Sequence, residues 1–227
     1  MNLLAFESSC ERASIALRCG GVTRLVWLEG HASHSERILA VVRALLAEAG
    51  LGIGALDAVA FGAGPGAFTG LRLACGVAQG LALGAGLGVI PVCSLAALAA
   101  QSPLPLALAA TDARMGEIYH GCYRVENGMA IELSAPVCCA PSDLPHPGGG
   151  TFGLGSGFAA YEAKLAPVRA GLAGCDPQAV PSAEAVARLA AGWGGAAIVE
   201  PERAVPLYVR NKVALTTAER LMRGNKA

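Results

Sequence analysis

Glycine is concentrated in one stretch of the first half of the chain. The apolar run 56–61 is typical of a buried strand, and it leads directly into a loop that contains Gly62, Gly64 and Gly66. A loop built on alternate glycines can approach a neighbouring backbone or a ligand closely, because no Cβ atom stands in the way. We therefore expect a strand and a tight loop here, followed by a helix.

A second glycine pattern lies within that helix, for which Thr69 is the predicted N-cap. Four glycines recur at every fourth residue, so they would share one row of the helix surface. They are Gly76, Gly80, Gly84 and Gly88. Each interior glycine costs about 0.8–1 kcal/mol relative to alanine, so such a row is expected where another backbone must come close. The pattern fits close packing within one domain as well as a partner-binding face.

The glycine loop is also a candidate anion site, since loops between a strand and a helix often bind anions. Gly64 and Gly66 are the candidate contacts. A phosphate-binding P-loop is excluded, because it needs a lysine followed by serine or threonine after its last glycine. Here Gly70 is followed by Leu71 and Arg72. The loop does not fit the dinucleotide-binding fingerprint either.

The composition indicates an ordered globular protein that does not bind nucleic acid by itself. The 227 residues are 54% hydrophobic and 15% charged, which allows a sizeable core. The net charge is formally zero and aromatic residues make up 5% of the chain. A protein that binds nucleic acid alone usually has a basic surplus or stacking aromatic residues.

The predicted localisation is cytoplasmic, without membrane association. None of the eight cysteines forms a Cys-x-x-Cys pair, so free thiols in a reducing compartment are expected. The first residues lack a basic region and a signal-peptide core. The weakly polar run at 80–92 is too short and too rich in glycine to span a bilayer, which needs about 20 apolar residues.

Two similar α/β patterns follow one another along the chain. Strand-like runs at 2–6, 13–18 and 22–28 predict an antiparallel meander. A second meander is predicted between residues 104 and 133, and in both parts strands then alternate with helices. This pattern predicts two related α/β halves around a cleft.

The domain boundary is predicted at the prolines that follow Ser102. The halves are then 1–102 and 103–212. Residues 213–227 are expected to contain a C-terminal helix, which is a candidate to pack back on the first half.

The clearest predicted helix begins at a capping box formed by Ser33 and Glu36 and ends at Gly50. His31 and His34 are three residues apart, but they straddle the start of this helix and do not share a face. The remaining histidines are His120 and His146. Because zinc needs three or four ligands, no metal site is expected.

Five short motifs occur in one order along the chain. They are His34-Ser35-Glu36, Gly64–Arg72, Ser94-Leu95, Asp112–Tyr119 and Pro206–Arg210. Ser94 is also the predicted N-cap of the helix that begins there. In order and spacing, from about residue 2 to 212, they resemble the bacterial TsaB (YeaZ) family of tRNA threonylcarbamoyladenosine biosynthesis proteins. The resemblance implies an α/β fold of two actin-like (RNase H-like, ASKHA) halves in tandem, each a mixed sheet with helical cover.

The resemblance also implies a function. In this family's system TsaD, the catalytic paralogue, transfers threonylcarbamoyl to the adenosine beside the anticodon of tRNAs that read codons starting with A. TsaB is the non-catalytic scaffold that TsaD requires, and TsaE is the ATPase that joins them. A homodimer could form when TsaD is absent, because the two proteins share a fold and an isologous contact is the simplest symmetric arrangement. Contact with tRNA is expected only through the complex. No intrinsic cofactor is expected, and ATP or ADP at the interface with TsaD is left open.

One segment departs from the family pattern. The opening Glu7-Ser8-Ser9-Cys10-Glu11 resembles TsaD more than the Asp-Thr-Ser opening common in TsaB. TsaD, however, carries a His-x-x-x-His metal pair on a helix and is much longer. This chain has no such pair, so assignment to TsaD fails on the chemistry of metal binding.

For a scaffold subunit, we expect the partner interface on the capped helix, Ser35 to Ala49, and the glycine-rich helix, Gly70 to Gly88, which would pair with the equivalent helices of a paralogue. The residues expected there are His34, Glu36, Ile38, Val41, Val42, Leu45, Phe68, Thr69, Arg72, Leu73, Gly76, Gly80 and Gly84. Candidate nucleotide or anion contacts are Glu7, Ser8, Gly64, Gly66, Asp112 and Arg114.

Two other functions stay open at this point. The first is an autonomous actin-fold enzyme, nucleotide-hydrolysing or peptidase-like, that uses Glu7, Asp112 and Arg114 as charged groups facing the cleft. Alternatively, Asp112 and Arg114 have only a structural role, as an ion pair on either side of a turn. The second function is direct tRNA binding through the tail, because residues from Arg203 onward include six lysines or arginines and one glutamate.

Overall fold

The computed structural model describes residues 1–28 and 34–210, apart from the side chains of 34–36. The strands are β1 Leu3–Glu7, β2 Ala13–Cys19, β3 Val22–Leu28, β4 Ala58–Gly64, β5 Gly88–Cys93, β6 Leu106–Arg114, β7 Glu117–Glu126, β8 Met129–Glu132, β9 Val137–Cys139, β10 Thr151–Leu154 and β11 Gly174–Asp176. The α-helices are α1 His34–Glu48, α2 Phe68–Ala85, α3 Ser94–Ala99, α4 Gly157–Ala160, α5 Glu162–Ala170 and α6 Ala183–Trp193. The predicted C-terminal helix at 213–227 lies outside the described residues.

The strands form two mixed sheets with the same plan. Sheet A has the order β3-β2-β1-β4-β5, and the main path of sheet B is β8-β7-β6-β10-β11. In sheet A, β1, β2 and β3 form an antiparallel meander, and β4 and β5 are added in parallel on the free side of β1. In sheet B, β6, β7 and β8 form the meander, and β10 and β11 are added in parallel on the free side of β6. Strand β9 pairs with β7 beside this path. The repeated plan confirms the predicted tandem of actin-like α/β halves.

Sheet A is covered on both faces. Helices α1 and α2 bury apolar residues in one cluster with Leu4, Phe6 and Phe61 of the sheet. The opposite face, which includes Leu3 and Ala5, forms a second cluster with α3 and α6. The first strands read as continuous apolar runs because both of their faces are buried.

The two halves share one core. Helix α3, from the first half of the sequence, packs against β6, β7 and β8 of sheet B, and α6, from the second half, packs against all five strands of sheet A. Sheet A lies within residues 3–93 and sheet B within 106–176, on either side of the predicted boundary. The sheets therefore divide near residue 102, whereas the helices cross that division.

Two of the predicted helix caps are not formed, whereas a serine caps α6. Ser182 caps α6 by accepting a hydrogen bond from the Ala185 backbone N–H at 3.2 Å. The predicted caps of α2 and α3 are wrong, because Thr69 is the second residue of α2 and Ser94 is the first residue of α3. The capping box at Ser33 lies outside the described residues.

Among the described residues, α2 is the helix that is long and apolar enough to cross a membrane by length and composition. It connects two neighbouring strands of sheet A, β4 and β5, and buries five of its residues. These are Leu71, Ala74, Cys75, Ala78 and Ala82. This is the packing of a helix that covers a sheet.

Folding stability should depend on pH through His120. This β7 side chain is buried, and its Nδ1 has no hydrogen-bond partner in the part of the chain that the structure describes. Burial lowers its pKa below the ordinary 6.5. The unfolded chain then binds more protons than the folded one, so the free energy of unfolding should fall as the pH drops below 6.5. Urea unfolding between pH 7 and pH 5 measures this slope, which should be smaller in His120→Gln. An identical slope in both proteins would contradict the assignment.

Candidate functional site

Glycines at the end of β4, in the short loop that follows and in the first turn of α2 pack against the end of β1 and the turn after it, so Gly62 and Gly64 belong to the strand and not to the predicted loop. A Cβ atom at Gly62 would overlap the Glu7 carboxylate, one at Gly66 the Ser9 carbonyl oxygen, and one at Gly70 the Ser8 carbonyl oxygen. These glycines are therefore required for the close approach of two segments of this chain. Of the two candidate glycine anion contacts, Gly66 lines the cleft between the sheets, and a Cβ atom at Gly64 would overlap Leu71 and approach the Leu207 carbonyl oxygen.

Glu7 is enclosed by this contact. Its side chain has no exposed surface, and it accepts hydrogen bonds from the Ser9 backbone N–H at 2.6 Å and the Ser94 hydroxyl at 2.8 Å. The Ser94 hydroxyl in turn accepts a bond from the Gly64 N–H at 3.2 Å. Burial raises the pKa of the Glu7 carboxyl above 4.5. The expectation that Glu7 faces the cleft is thus wrong, because the carboxylate is turned under the glycine loop.

Ser8 is also committed to the loop, since its hydroxyl donates a hydrogen bond to the Gly70 carbonyl at 2.8 Å. Neither Glu7 nor Ser8 belongs to the described residues that line the cleft. The structure therefore separates the six candidate anion contacts into two groups. Gly66, Asp112 and Arg114 line the cleft, whereas Glu7 and Ser8 lie beneath the glycine loop and Gly64 is a buried residue at the end of β4.

The cleft lies between the turns of the two halves and has a volume of about 490 Å³. Arg114 lies at its edge and forms ion pairs with Asp112 at 3.3 Å and with Glu11 of the opposite half at 2.6 Å. The pair with Glu11 is largely exposed and adds little stability. Asp112 also accepts hydrogen bonds from the Arg114 N–H and the Tyr161 hydroxyl. The ion-pair interpretation of Asp112 and Arg114 is confirmed, and Glu11 is a partner that the sequence analysis missed.

A C-terminal strap, residues 198–210, joins the two halves. Val199 pairs with Val89 at the edge of sheet A, and the Gln79 amide donates hydrogen bonds to two strap carbonyls at 2.9 and 3.0 Å. The Leu207 N–H then bonds to the Ala63 carbonyl at the end of β4 at 2.7 Å. The strap thus runs from the edge of sheet A to the glycine loop.

Arg210 fastens the end of the strap to sheet B. Its guanidinium pairs with Glu117 and donates a hydrogen bond to the Ala113 carbonyl at 3.0 Å, within the β6–β7 hairpin. The side chain is 13% exposed, compared with 41% for Glu117. Leu207 and Arg210, only three residues apart, therefore hold the glycine loop and the β6–β7 hairpin together.

Replacing Arg210 should loosen this connection. We expect Arg210→Gln to lower the free energy of unfolding by about 1–2 kcal/mol, because charge-assisted hydrogen bonds at a mostly buried site are lost. Urea unfolding measures the change. The matched control is Arg124→Gln, whose pair with Glu126 is half exposed on both sides and should change stability by less than about 0.5 kcal/mol. Equal effects of the two substitutions would contradict the role of Arg210 as a fastener.

The outward face of α2 carries the predicted row of glycines. Gly76, Gly80 and Gly84 are exposed, and a Cβ atom at any of them would meet nothing within 4 Å among the described residues. Nothing in that part of the chain requires glycine at these positions. Gly88 does not belong to the row, because the helix ends at Ala85, and a Cβ atom there would overlap Ile198.

Larger apolar side chains border the glycine row. Phe68 is 50% exposed at the start of α2, and Leu83 is 66% exposed near its end. An open row of glycines flanked by exposed apolar side chains is a surface that a second helix can approach closely.

The predicted contribution of α1 to the interface needs correction. Ile38, Val42 and Leu45 are only 3–4% exposed and pack into the core beneath α1. The helical spacing that identifies them marks the face turned toward sheet A, so they cannot contact a partner. Val41 is half-buried, and the side chains of His34 and Glu36 are not described.

The predicted contribution of α2 stays available to a partner. Thr69 and Arg72 are exposed, and Leu73 is half-buried.

Within residues 1–28 and 34–210, no group of three or more His, Cys, Asp or Glu side chains is arranged to hold a metal ion. All eight cysteines are free thiols.

Comparisons with known proteins agree with this geometry. A family model described as TsaD, tRNA N6-adenosine threonylcarbamoyltransferase, matches residues 13–164. The chain is 38% identical over 176 residues to the tRNA threonylcarbamoyladenosine biosynthesis protein TsaB of Haemophilus influenzae, covering 71% of this chain and 74% of the relative. It is 40% identical over 134 residues to the Escherichia coli protein of the same name, covering 57% and 58%.

Two solved structures have the same fold over nearly the whole chain. YeaZ from Pseudomonas aeruginosa is 37% identical, with a TM-score of 0.82 and coverage of 91% of this chain and 100% of that one. A second Pseudomonas aeruginosa structure, described as similar to peptidase YeaZ, gives a TM-score of 0.83 at 36% identity, with coverage of 92% and 99%. The chain therefore belongs to the TsaB (YeaZ) family of tRNA threonylcarbamoyladenosine biosynthesis proteins.

Proposed function

We propose that the chain is a non-catalytic scaffold subunit that pairs, through the outward face of α2, with a TsaD paralogue. The paired TsaD would transfer threonylcarbamoyl to the adenosine beside the anticodon of tRNAs that read codons starting with A. The observation that carries the proposal is the exposed row of Gly76, Gly80 and Gly84. Each glycine weakens α2, and the described part of the chain gains no contact in return.

The match to the TsaD family model supports a partner of related fold. Two chains of related fold present equivalent helices, so α2 can pack against its counterpart. The same face would serve a homodimer when TsaD is absent. The same proposal includes TsaE as a further partner and ATP or ADP at the interface with TsaD. It also includes contact with tRNA through the complex and a cytoplasmic location.

The autonomous-enzyme alternative receives no support from the arrangement of its three residues. Glu7 is buried beneath the glycine loop, whereas Asp112 and Arg114 lie at the cleft and are paired with each other. No catalytic group is formed by the three together. Direct tRNA binding by the tail depends mostly on residues after 210, which lie outside the described residues.

Reconstitution of the modification reaction tests the proposal. Purified TsaD, TsaE, the threonylcarbamoyl-adenylate synthase and an unmodified tRNA are combined with or without this chain, and threonylcarbamoyladenosine in the tRNA is measured. The proposal predicts modification only when the chain is present. Full modification without it would contradict the scaffold role. ATP turnover by the chain alone that vanishes in Asp112→Ala would favour the enzyme.

A further inference from the structure

A compact cluster of three side chains stands at the head of the glycine row. Phe68, Arg72 and Tyr208, here the head cluster, come from the first two turns of α2 and from the strap. The Arg72 guanidinium lies 3.8 Å from the centre of the Phe68 ring, and its Nε donates a hydrogen bond to the Tyr208 hydroxyl at 3.3 Å. The two rings are 5.8 Å apart. Both are about half exposed, so the cluster lies at the surface.

Among the described residues, no carboxylate neutralises the charge of Arg72. Within the described residues, Arg72 takes part in no ion pair, whereas four other arginines do. They are Arg114, Arg124, Arg169 and Arg210. Arg72 is instead held by one aromatic face and one hydroxyl. A guanidinium that is fixed in place but unpaired has already lost much of the side-chain freedom that binding would otherwise cost.

The position of the head cluster relates it to the glycine row. Phe68, Arg72, Gly76, Gly80 and Gly84 follow one another at intervals of four residues, so each is the neighbour of the next along one ridge that winds around α2 by about 40° per step. One helical turn of about 5.4 Å separates Arg72 from the first glycine. A helix that lies along the glycines therefore has one of its turns beside the Arg72 guanidinium.

We propose that the head cluster is a charged anchor of the partner face, in which Arg72 binds an Asp or Glu carboxylate on the helix that a TsaD-like partner lays along the glycine row. This inference rests on the proposed function. Carboxylates match the planar guanidinium in charge and in hydrogen-bond geometry. Tyr208 and Phe68 hold that guanidinium in place for the incoming group.

The anchor distinguishes such a partner from a second copy of this chain. Helix α2 contains no aspartate or glutamate between Phe68 and Ala85. Two copies that paired α2 against α2 would thus offer no carboxylate from that helix to either Arg72. A partner helix with an acidic residue opposite Arg72 gains an ion pair that α2-to-α2 pairing lacks. This difference favours the complex with the TsaD-like partner over the homodimer.

Measured affinities of the full-length chain for purified TsaD test the anchor. Dissociation constants are determined at 50 mM and 300 mM salt for wild type, Arg72→Gln and Tyr208→Phe. The matched control is Arg24→Gln, an exposed arginine on edge strand β3 at the far side of sheet A. We expect Arg72→Gln to bind at least about tenfold more weakly at low salt and to lose most of the salt dependence, since an ion pair is screened by salt.

Tyr208→Phe should weaken binding about threefold, because it frees the guanidinium without removing the charge. The dissociation constant of any homodimer should stay within twofold of wild type in both variants. Wild-type affinity of Arg72→Gln, or a loss that does not depend on salt, would overturn the anchor while leaving the scaffold role intact. A loss confined to the homodimer, or to binding of single-stranded RNA by the chain alone, would overturn it as well.

Failure of the wild-type chain to bind TsaD at either salt concentration would overturn both the anchor and the proposed function. Melting temperatures of the variants identify any loss that arises from unfolding.

Discussion

Gly70→Ala is expected to lower the melting temperature of the isolated chain by about 6–12 °C. A Cβ atom at Gly70 would overlap the backbone carbonyl oxygen of Ser8, which cannot move aside as a flexible side chain can. Forcing an atom into such a packed contact costs about 3 kcal/mol, and in a chain of this size each kcal/mol shifts the melting temperature by about 2–4 °C. Thermal unfolding followed by circular dichroism measures the shift.

Gly80→Ala is the matched control in the same helix and is expected to have the opposite sign. The new methyl group meets nothing within 4 Å, and alanine favours the helix by about 0.8–1 kcal/mol, so the melting temperature should rise by about 2–4 °C. If both variants melt at lower temperature than wild type, the outward row of α2 is packed and the interpretation of its glycines is wrong.

Gly80→Leu is expected to reduce complex-dependent tRNA modification on the order of a hundredfold, although the isolated chain folds as well as wild type. A leucine side chain in the middle of the row would hold the partner helix away from α2, and a hundredfold loss corresponds to about 2.7 kcal/mol of binding free energy. Modification of tRNA by the reconstituted components, at concentrations near the dissociation constant, measures this effect.

The control for the added side chain is Gly149→Leu, since Gly149 is exposed in the second half and a Cβ atom there also meets nothing within 4 Å. This variant should support modification at the wild-type rate. A similar loss in both variants would indicate a general effect of an added leucine, and normal modification by Gly80→Leu would exclude the glycine row from the interface.

The tandem fold could be predicted because its signals are local. Apolar runs of strand length, separated by turn residues, mark each meander, and the alternation of strands and helices marks the parallel additions. The two sheets repeat this order, and their division near residue 102 follows the proline-rich connection. The crossing of α3 and α6 between the halves could not be predicted, because it depends on contacts between distant parts of the sequence.

The candidate site was only partly predictable for the same reason. Four-residue spacing locates Gly76, Gly80 and Gly84 on one row of α2, but spacing does not tell whether the row faces the chain's own sheet or the outside. The same ambiguity explains the incorrect placement of Ile38, Val42 and Leu45, whose spacing marks the buried face of α1.

Glu7 and the strap show a second limit. The end of β1 was expected to face the cleft, but the glycine loop that folds over Glu7 is more than 50 residues further along the chain. The strap has no periodic pattern, and its contacts, such as that of Arg72 with Tyr208, join residues more than 100 positions apart. Such contacts leave no local signal in the sequence.

Photo-cross-linking from position 83 tests most directly whether α2 contacts the paralogue. Leu83 is exposed and lies three residues from Gly80, at the border of the glycine row. A photoreactive phenylalanine analogue at this position, irradiated in a mixture with TsaD, should give a covalent adduct that maps to one helix of TsaD, and the same analogue at position 149 should give none. Adducts from position 149 but not from position 83 would contradict the central claim that the outward face of α2 binds the partner.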